Sequence, residues 1–279
     1  MQSAGSIATK EIVHVAPDTR VTDALALMSA RKISCLVVIL QNTAVGLLTE
    51  RDMVHAANKV VDFPGLQVRE VMSSPILTVD CNQPVTEAYH LLKENSIRHL
   101  VVLDAQYDIK GIVTLSDIVH KLHAEHFQHI TSISTIMTTA VKTVDPARSA
   151  RYALSLMAVN SISCVIVAEK NHPIGIFSEK DAARLIGQEQ DRLPAPISES
   201  MSRPVETVRA TISPQEAAER MKVRGVRRLV VIDEGGRIAG LVTQSDISRV
   251  LESYHEKSHD SSSTARPGNY RTASGFTDD

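Results

Sequence analysis

A chain of 279 residues, 22% charged and 43% hydrophobic, is long enough for about two domains and apolar enough to bury a core. A formal net charge of −2 and only four Phe, five Tyr and no Trp argue against a general nucleic-acid binder or a base-stacking platform. No apolar stretch approaches bilayer length, residues 1–6 lack the pattern of a secretory signal, and Cys35, Cys81 and Cys164 form neither a disulfide nor a zinc pattern, so a cytoplasmic, reducing setting is expected.

In chain order, a short β run at 12–15 is followed by a helix and then a buried strand at 36–40, entered through Ile33. A third strand then opens the stretch Gly46-Leu47-Leu48-Thr49-Glu50-Arg51-Asp52, and a second helix begins at the Thr-x-x-Asp. The same order returns with strands at 76–79 and 100–103, a helix over Val85–Glu94, and Gly111-Ile112-Val113-Thr114-Leu115-Ser116-Asp117. A third copy has strands at 141–144 and 165–168 and Gly175-Ile176-Phe177-Ser178-Glu179-Lys180-Asp181. A fourth has strands at 205–208 and 229–232, a helix ended by Gly225 as a left-handed cap, and Gly240-Leu241-Val242-Thr243-Gln244-Ser245-Asp246. The four glycines are 65, 64 and 65 residues apart. Odd repeats are alike at a spacing of 129, and so are even ones: Pro17 falls on Pro146, Ser34-Cys35 on Ser163-Cys164, and Met72 on Met201. The pattern is one unit doubled to a pair, and the pair doubled again.

A β-α-β-β-α unit near 60 residues, occurring in pairs and closing with Gly-h-h-Thr-x-x-Asp, resembles the CBS (cystathionine β-synthase) domain. The even repeats carry the resemblance most fully. They open with Val71-Met72-Ser73-Ser74-Pro75 and Ser200-Met201-Ser202-Arg203-Pro204, and enter the second strand through Ile97-Arg98-His99-Leu100 and Val226-Arg227-Arg228-Leu229. The odd repeats lack the Met-Ser-x-Pro opening. The resemblance implies an α/β (α+β) fold of four CBS units, at 7–60, 68–123, 133–188 and 197–252, before a polar tail at 253–279. It also implies that the units pair through their small sheets into two Bateman modules, near 7–122 and 133–251.

Thr/Ser-x-x-Asp has two readings. As a capping box, the hydroxyl accepts from a first-turn N–H and the acid reaches back to the cap. As a ligand site, the carboxylate of Asp52, Asp117, Asp181 or Asp246 accepts from a ribose diol, beside Thr49, Thr114, Ser178 or Thr243. The resemblance implies the second use as well, with the Asp on ribose and the Thr or Ser near ribose or phosphate. Arg98-His99 and Arg227-Arg228, at equivalent places in the even repeats, suit phosphate; the alternative is a solvated strand entrance. Arg51 and Lys180 are further candidates. By resemblance, adenine falls near Ile76, Leu77, Val205 and Glu206, positions equally expected as plain core.

His120, His123, His126 and His129 recur every third residue, a spacing that spreads them around a helix, so an inter-module linker is expected there and no metal. No phosphate-cradling Gly-rich loop, nucleophile elbow or Cys/His dyad is present. The expected protein is a non-enzymatic regulator without a resident cofactor. It binds an adenine nucleotide (AMP, ADP or ATP, with Mg²⁺ where the ligand is ATP), forms a homodimer through its modules and signals to a protein partner, with no nucleic acid or membrane involved. The alternatives are a ligand-free scaffold, or binding of S-adenosylmethionine or a cyclic dinucleotide.

Overall fold

The computed structural model describes residues 2–57, 63, 65–121 and 130–249. Four sheets of three strands are built alike, the first strand parallel to the second and the second antiparallel to the third. A short helix, α1 (Ala4–Ile7), precedes repeat one, which runs β1 (His14–Val15), α2 (Val21–Arg31), β2 (Cys35–Leu40), β3 (Thr43–Thr49) and α3 (Glu50–Ala57). Repeat two runs β4 (Thr78–Asp80), α4 (Val85–Glu94), β5 (His99–Leu103), β6 (Ile109–Thr114) and α5 (Leu115–His120). Repeat three is β7 (Thr143–Val144), α6 (Ala150–Val159), β8 (Cys164–Glu169), β9 (His172–Ser178) and α7 (Glu179–Gln188). Repeat four is β10 (Thr207–Val208), α8 (Pro214–Arg224), β11 (Arg228–Ile232), β12 (Ile238–Thr243) and α9 (Gln244–Ser248).

The aliphatic runs become the central strands, where Leu36, Val37 and Val38, like Leu100, Val101 and Val102, are wholly buried. A continuous apolar run suits a strand covered on both faces. The first helices bury one stripe, in α4 Ala88, Tyr89, Leu91 and Leu92. Gly225 ends α8 at φ 63° with its N–H on Met221 and Lys222, the left-handed cap expected of it. The leading strands are shorter than the apolar runs suggest: 12–15 pairs only at His14–Val15, and 205–208 only at Thr207–Val208. They are edge strands, and the chain before each one leaves its sheet.

That preceding chain has structure which apolar periodicity did not reveal. Besides α1 there are 3₁₀ turns at Val68–Glu70, Ile133–Thr135 and Ile197–Glu199, and each lead-in packs on a repeat other than the one it opens. Ala4 and Ile7 lie in the core of repeat two, Val68 in that of repeat one, Ile133 in that of repeat four and Ile197 in that of repeat three. Each lead-in then bridges to a third strand: Thr9 to Ile112, Ser73 to Leu47, Thr138 to Leu241 and Ser202 to Ile176. Ser74-Pro75 and Arg203-Pro204 are cis peptides at equivalent places.

The chain groups into two compact units that join like with like. One comprises Ile12–Ile76 and Val141–Val205, with repeats one and three. The other comprises, among the described residues, 2–11, 77–121, 130–140 and 206–249, with repeats two and four. In the unit of odd repeats, α2 and α3 pack on α7, and α3 on α6. Val54 thereby enters the core of repeat three, and Ala183 and Ile186 that of repeat one. In the unit of even repeats, α5 packs on α8 and α9, and Val119 joins the core of Ala217, Leu229 and Ile247. A unit near 60 residues closes too little apolar surface alone, and its second helix supplies the face that a second repeat covers.

Candidate ligand sites at the Thr/Ser-x-x-Asp turns

Every Thr/Ser-x-x-Asp lies where the third strand passes into the second helix, and all four close as capping boxes. In repeat two, Asp117 Oδ2 accepts from Thr114 N at 2.8 Å and from Thr114 Oγ1 at 2.7 Å, while Thr114 Oγ1 accepts from Asp117 N at 3.3 Å. In the other three repeats Oδ2 of Asp52, Asp181 and Asp246 likewise receives an N–H and a hydroxyl, at 2.6–2.8 Å. A carboxylate oxygen has room for about two donors, so the cap saturates Oδ2 and leaves Oδ1 as the chemically interesting atom.

Oδ1 is where the four differ. Ser73 Oγ donates to Asp52 Oδ1 at 2.9 Å, and Ser202 Oγ to Asp181 Oδ1 at 2.8 Å. Both serines come from lead-ins, so the Met-Ser of the even repeats completes the turns of the odd ones. At Asp246 the donor is Arg249 Nη2, at 2.6 Å, which also donates to Ile136 O at 2.6 Å. Among the described residues nothing donates to Asp117 Oδ1. Burial pushes the carboxyl of Asp52 above the ordinary range, against the pull of Thr49, Ser73 and His55.

The motif glycine allows these approaches. A Cβ at Gly111 would lie 2.7 Å from Thr9 O; at Gly46, Gly175 and Gly240 it would run into the sulfur of Met72, Met201 and Met137, with Thr138 O also 3.0 Å away at Gly240. The family-like Met therefore seats its lead-in on a glycine of another repeat.

The basic pairs sit beside the caps. Leu115 N donates to Arg98 O at 3.1 Å and Gln244 N to Arg227 O at 3.0 Å, so the first residue of each pair touches the helix start. The second residue faces the cap across the ladder: His99 opposes Thr114, and Arg228 opposes Thr243. Opposed residues project to the same face of an antiparallel ladder. His99 is buried, and Arg98, Arg227 and Arg228 are half-buried. In the odd repeats Cys35 and Cys164 oppose Thr49 and Ser178 instead, both buried. Arg51 is engaged by buried Glu179 at 3.1 Å, whereas Lys180 is exposed.

Of the positions assigned to adenine, Ile76 is buried and Leu77 packs against the core of repeat two. Val205 is half-buried, and Glu206 lies 3.6 Å from Arg224 Nε. His120 ends α5, whereas His123, His126, His129 and the tail from 253 lie outside the described residues. Among the described residues no cluster of His, Cys, Asp or Glu suits a metal, and no helix is long and apolar enough to cross a membrane.

One set of residues escaped the sequence reading. Three positions after each Asp stands His55, His120, Arg184 or Arg249. The two arginines reach equivalent lead-in carbonyls, Arg184 Nη2 to Ser200 O at 3.0 Å and Arg249 Nη2 to Ile136 O. The signal in the sequence was a basic or imidazole side chain at one offset in all four copies.

Comparison with known proteins places these features in a family. The CBS domain model matches residues 4–59, 68–124, 133–188 and 197–253. Protein MJ1225 of Methanocaldococcus jannaschii superposes with a TM-score of 0.81 at 22% identity, over 89% of this chain and 99% of its own. A conserved protein of Pyrococcus horikoshii gives 0.62 at 20% identity, over 90% of this chain and all of its own. At such identities the likeness is one of fold. A 17.7 kDa protein of Acidianus ambivalens is 34% identical over 118 residues, 42% of this chain and 70% of its own. Inosine-5'-monophosphate dehydrogenase of Thermoplasma acidophilum is 28% identical over 114 residues, which are 41% of this chain and only 22% of the enzyme.

Proposed function

The chain belongs to the CBS domain family, and on that premise we propose that it is a regulatory protein that binds adenosyl nucleotides of the AMP, ADP or ATP type at its Thr/Ser-x-x-Asp turns. The observation that carries this reading is the arrangement in repeat two. Asp117 Oδ1 offers a carboxylate oxygen to a ribose diol, while Arg98 and His99 stand at the same turn to meet a phosphate. Repeat four sets Arg227 and Arg228 beside Asp246 in the same way, with Arg249 on Asp246 Oδ1. Adenine is assigned, by family resemblance, to the start of the first strand, at Leu77 for repeat two and Glu206 for repeat four, and Mg²⁺ accompanies ATP. Output is conformational: a ligand held between a turn and its lead-in favours whichever lead-in position binds it better, and a protein partner or a second copy of the chain reads the result.

Titration calorimetry of ligand-free full-length protein with AMP, ADP, ATP with Mg²⁺, S-adenosylmethionine and cyclic dinucleotides tests the reading. A nucleotide that binds the folded state also raises Tm, by mass action. Heat and a thermal shift with an adenine nucleotide, both weakened at least tenfold by Asp117→Ala, are expected. Neither heat nor shift with any of the ligands overturns it. A ligand-free scaffold is the second reading, favoured by the completeness of the four caps as structural elements.

A further inference from the structure

The four turns have the same cap and different occupants of Oδ1, and that difference ranks them. A ribose diol brings two hydroxyl donors, and an oxygen with room for about two can take both only if it starts empty. Asp117 Oδ1 meets that condition among the described residues. Asp52 and Asp181 each hold a neutral serine hydroxyl there, which can turn aside. Asp246 holds a guanidinium, a stronger charge-assisted partner, and the same Nη2 is anchored on Ile136 O in the lead-in that bridges to β12.

We propose that Arg249 is a built-in competitor for the ligand, holding the repeat-four turn closed by bridging Asp246 Oδ1 to the Ile136 carbonyl, so that Asp117 of repeat two is the first carboxylate to be filled. This rests on the nucleotide-binding reading above and adds an order of occupancy to it. The equivalent residue in repeat two is His120, a shorter, exposed side chain that makes no hydrogen bond to Asp117 Oδ1; burial lowers its pKa although the Asp117 charge pulls the other way. Repeat three has an arginine at this place too, but Arg184 is drawn to Glu189 Oε1 at 2.6 Å and to Ser200 O, leaving Asp181 to Ser202. Only in repeat four do the cation, the motif carboxylate and the lead-in carbonyl form one bridge among the described residues. Arg249 is half exposed and Asp246 largely covered, so the arginine is the partner free to swing into solvent when the turn opens.

The test titrates full-length protein with AMP and with ATP, comparing the unaltered chain, Arg249→Met, Arg249→Lys, Arg249→Met/Asp246→Asn and Asp117→Asn. Arg249→Met keeps the length of the side chain and removes its charge. It should add a binding event, about tenfold to a hundredfold tighter than that site shows in the unaltered chain, as expected for removal of one charge-assisted competitor. The event should vanish in Arg249→Met/Asp246→Asn and stay suppressed in Arg249→Lys, while Asp117→Asn abolishes the tightest event of the unaltered chain. A merely structural arginine would lower Tm on replacement and add no binding event. Unchanged binding in Arg249→Met, or a tightest event that survives Asp117→Asn, overturns the order of occupancy and leaves the nucleotide reading standing. No binding in any variant overturns both.

Discussion

Gly111→Ala probes the contact on which the composite turns depend. The new methyl group would sit 2.7 Å from Thr9 O and 2.8 Å from Ala8 Cβ, so main chain has to move. The lead-in is held there by two hydrogen bonds, Thr9 N to Ile112 O at 2.9 Å and Ile112 N to Thr9 O at 3.0 Å. Overpacking costs about 1–3 kcal/mol, and weakening two backbone bonds adds about 1 kcal/mol, for an expected loss of about 2–4 kcal/mol. Gly175→Ala is the contrast, because all three of the nearest atoms there belong to the Met201 side chain, a flexible thioether that can turn away. About 1 kcal/mol is expected at that position. Urea denaturation of both variants measures the difference, and amide exchange at Thr9 and Ile112 locates it: both amides should exchange faster in Gly111→Ala with most of β5 still protected. Equal losses in the two variants, or unchanged exchange at Thr9, would refute the idea that backbone approach makes this glycine necessary.

Three further outcomes follow from individual contacts. Burial raises the pKa of Asp52 above its ordinary 3.8, so its protonated form favours folding, a contribution present below that value and lost as pH rises through the folded pKa. The stability of Asp52→Asn relative to the unaltered chain should therefore improve from pH 3.5 towards pH 7, and a flat difference would contradict the assignment. Asp104 is the opposite case: Lys110 at 2.6 Å, with the amides of Gln106 and Asp108, holds its pKa below 3.8. Asp104→Asn should cost stability at pH 7 and nothing once the pH falls below the folded pKa, as melting curves across that range would record. Arg51→Met leaves Glu179, with a side chain only 3% exposed, without its guanidinium. Because Arg51 is one-third exposed, the loss should be about 2 kcal/mol, below that of a fully buried pair, and Arg51→Met/Glu179→Gln should recover part of it in a double-mutant cycle.

The repeat, the strand order and the family were legible because each rests on local pattern. Aliphatic runs such as Leu36–Val38 had to be central strands, and Gly-h-h-Thr-x-x-Asp fixed where strand passes into helix in four registers at once. The capping reading of those turns proved complete, with both Thr114 and Asp117 serving the cap. The site was legible only in part. The strand register of the structure is what sets His99 opposite Thr114, beside the cap; sequence put the basic pairs only at the entrance of the second strand. It gave no means to tell the four aspartates apart, because their second oxygens are met by groups from other segments: Ser73 lies 21 residues from Asp52, and Ile136 lies 113 residues from Arg249.

By itself the sequence determined the unit, its four copies, their family and the residue types gathered at each turn, since a helix start, a buried strand and a cap depend on neighbours a few positions away. Tertiary structure alone decided which lead-in packs on which repeat, which repeats share a core, and whether each Asp Oδ1 receives a hydroxyl, a guanidinium or nothing among the described residues. The physical reason lies in the turn itself. Its cap is a short-range device written into four consecutive residues, whereas the remaining carboxylate oxygen accepts from whatever donor the packing brings within 3 Å, and that donor is chosen by long-range burial of lead-ins and helix faces.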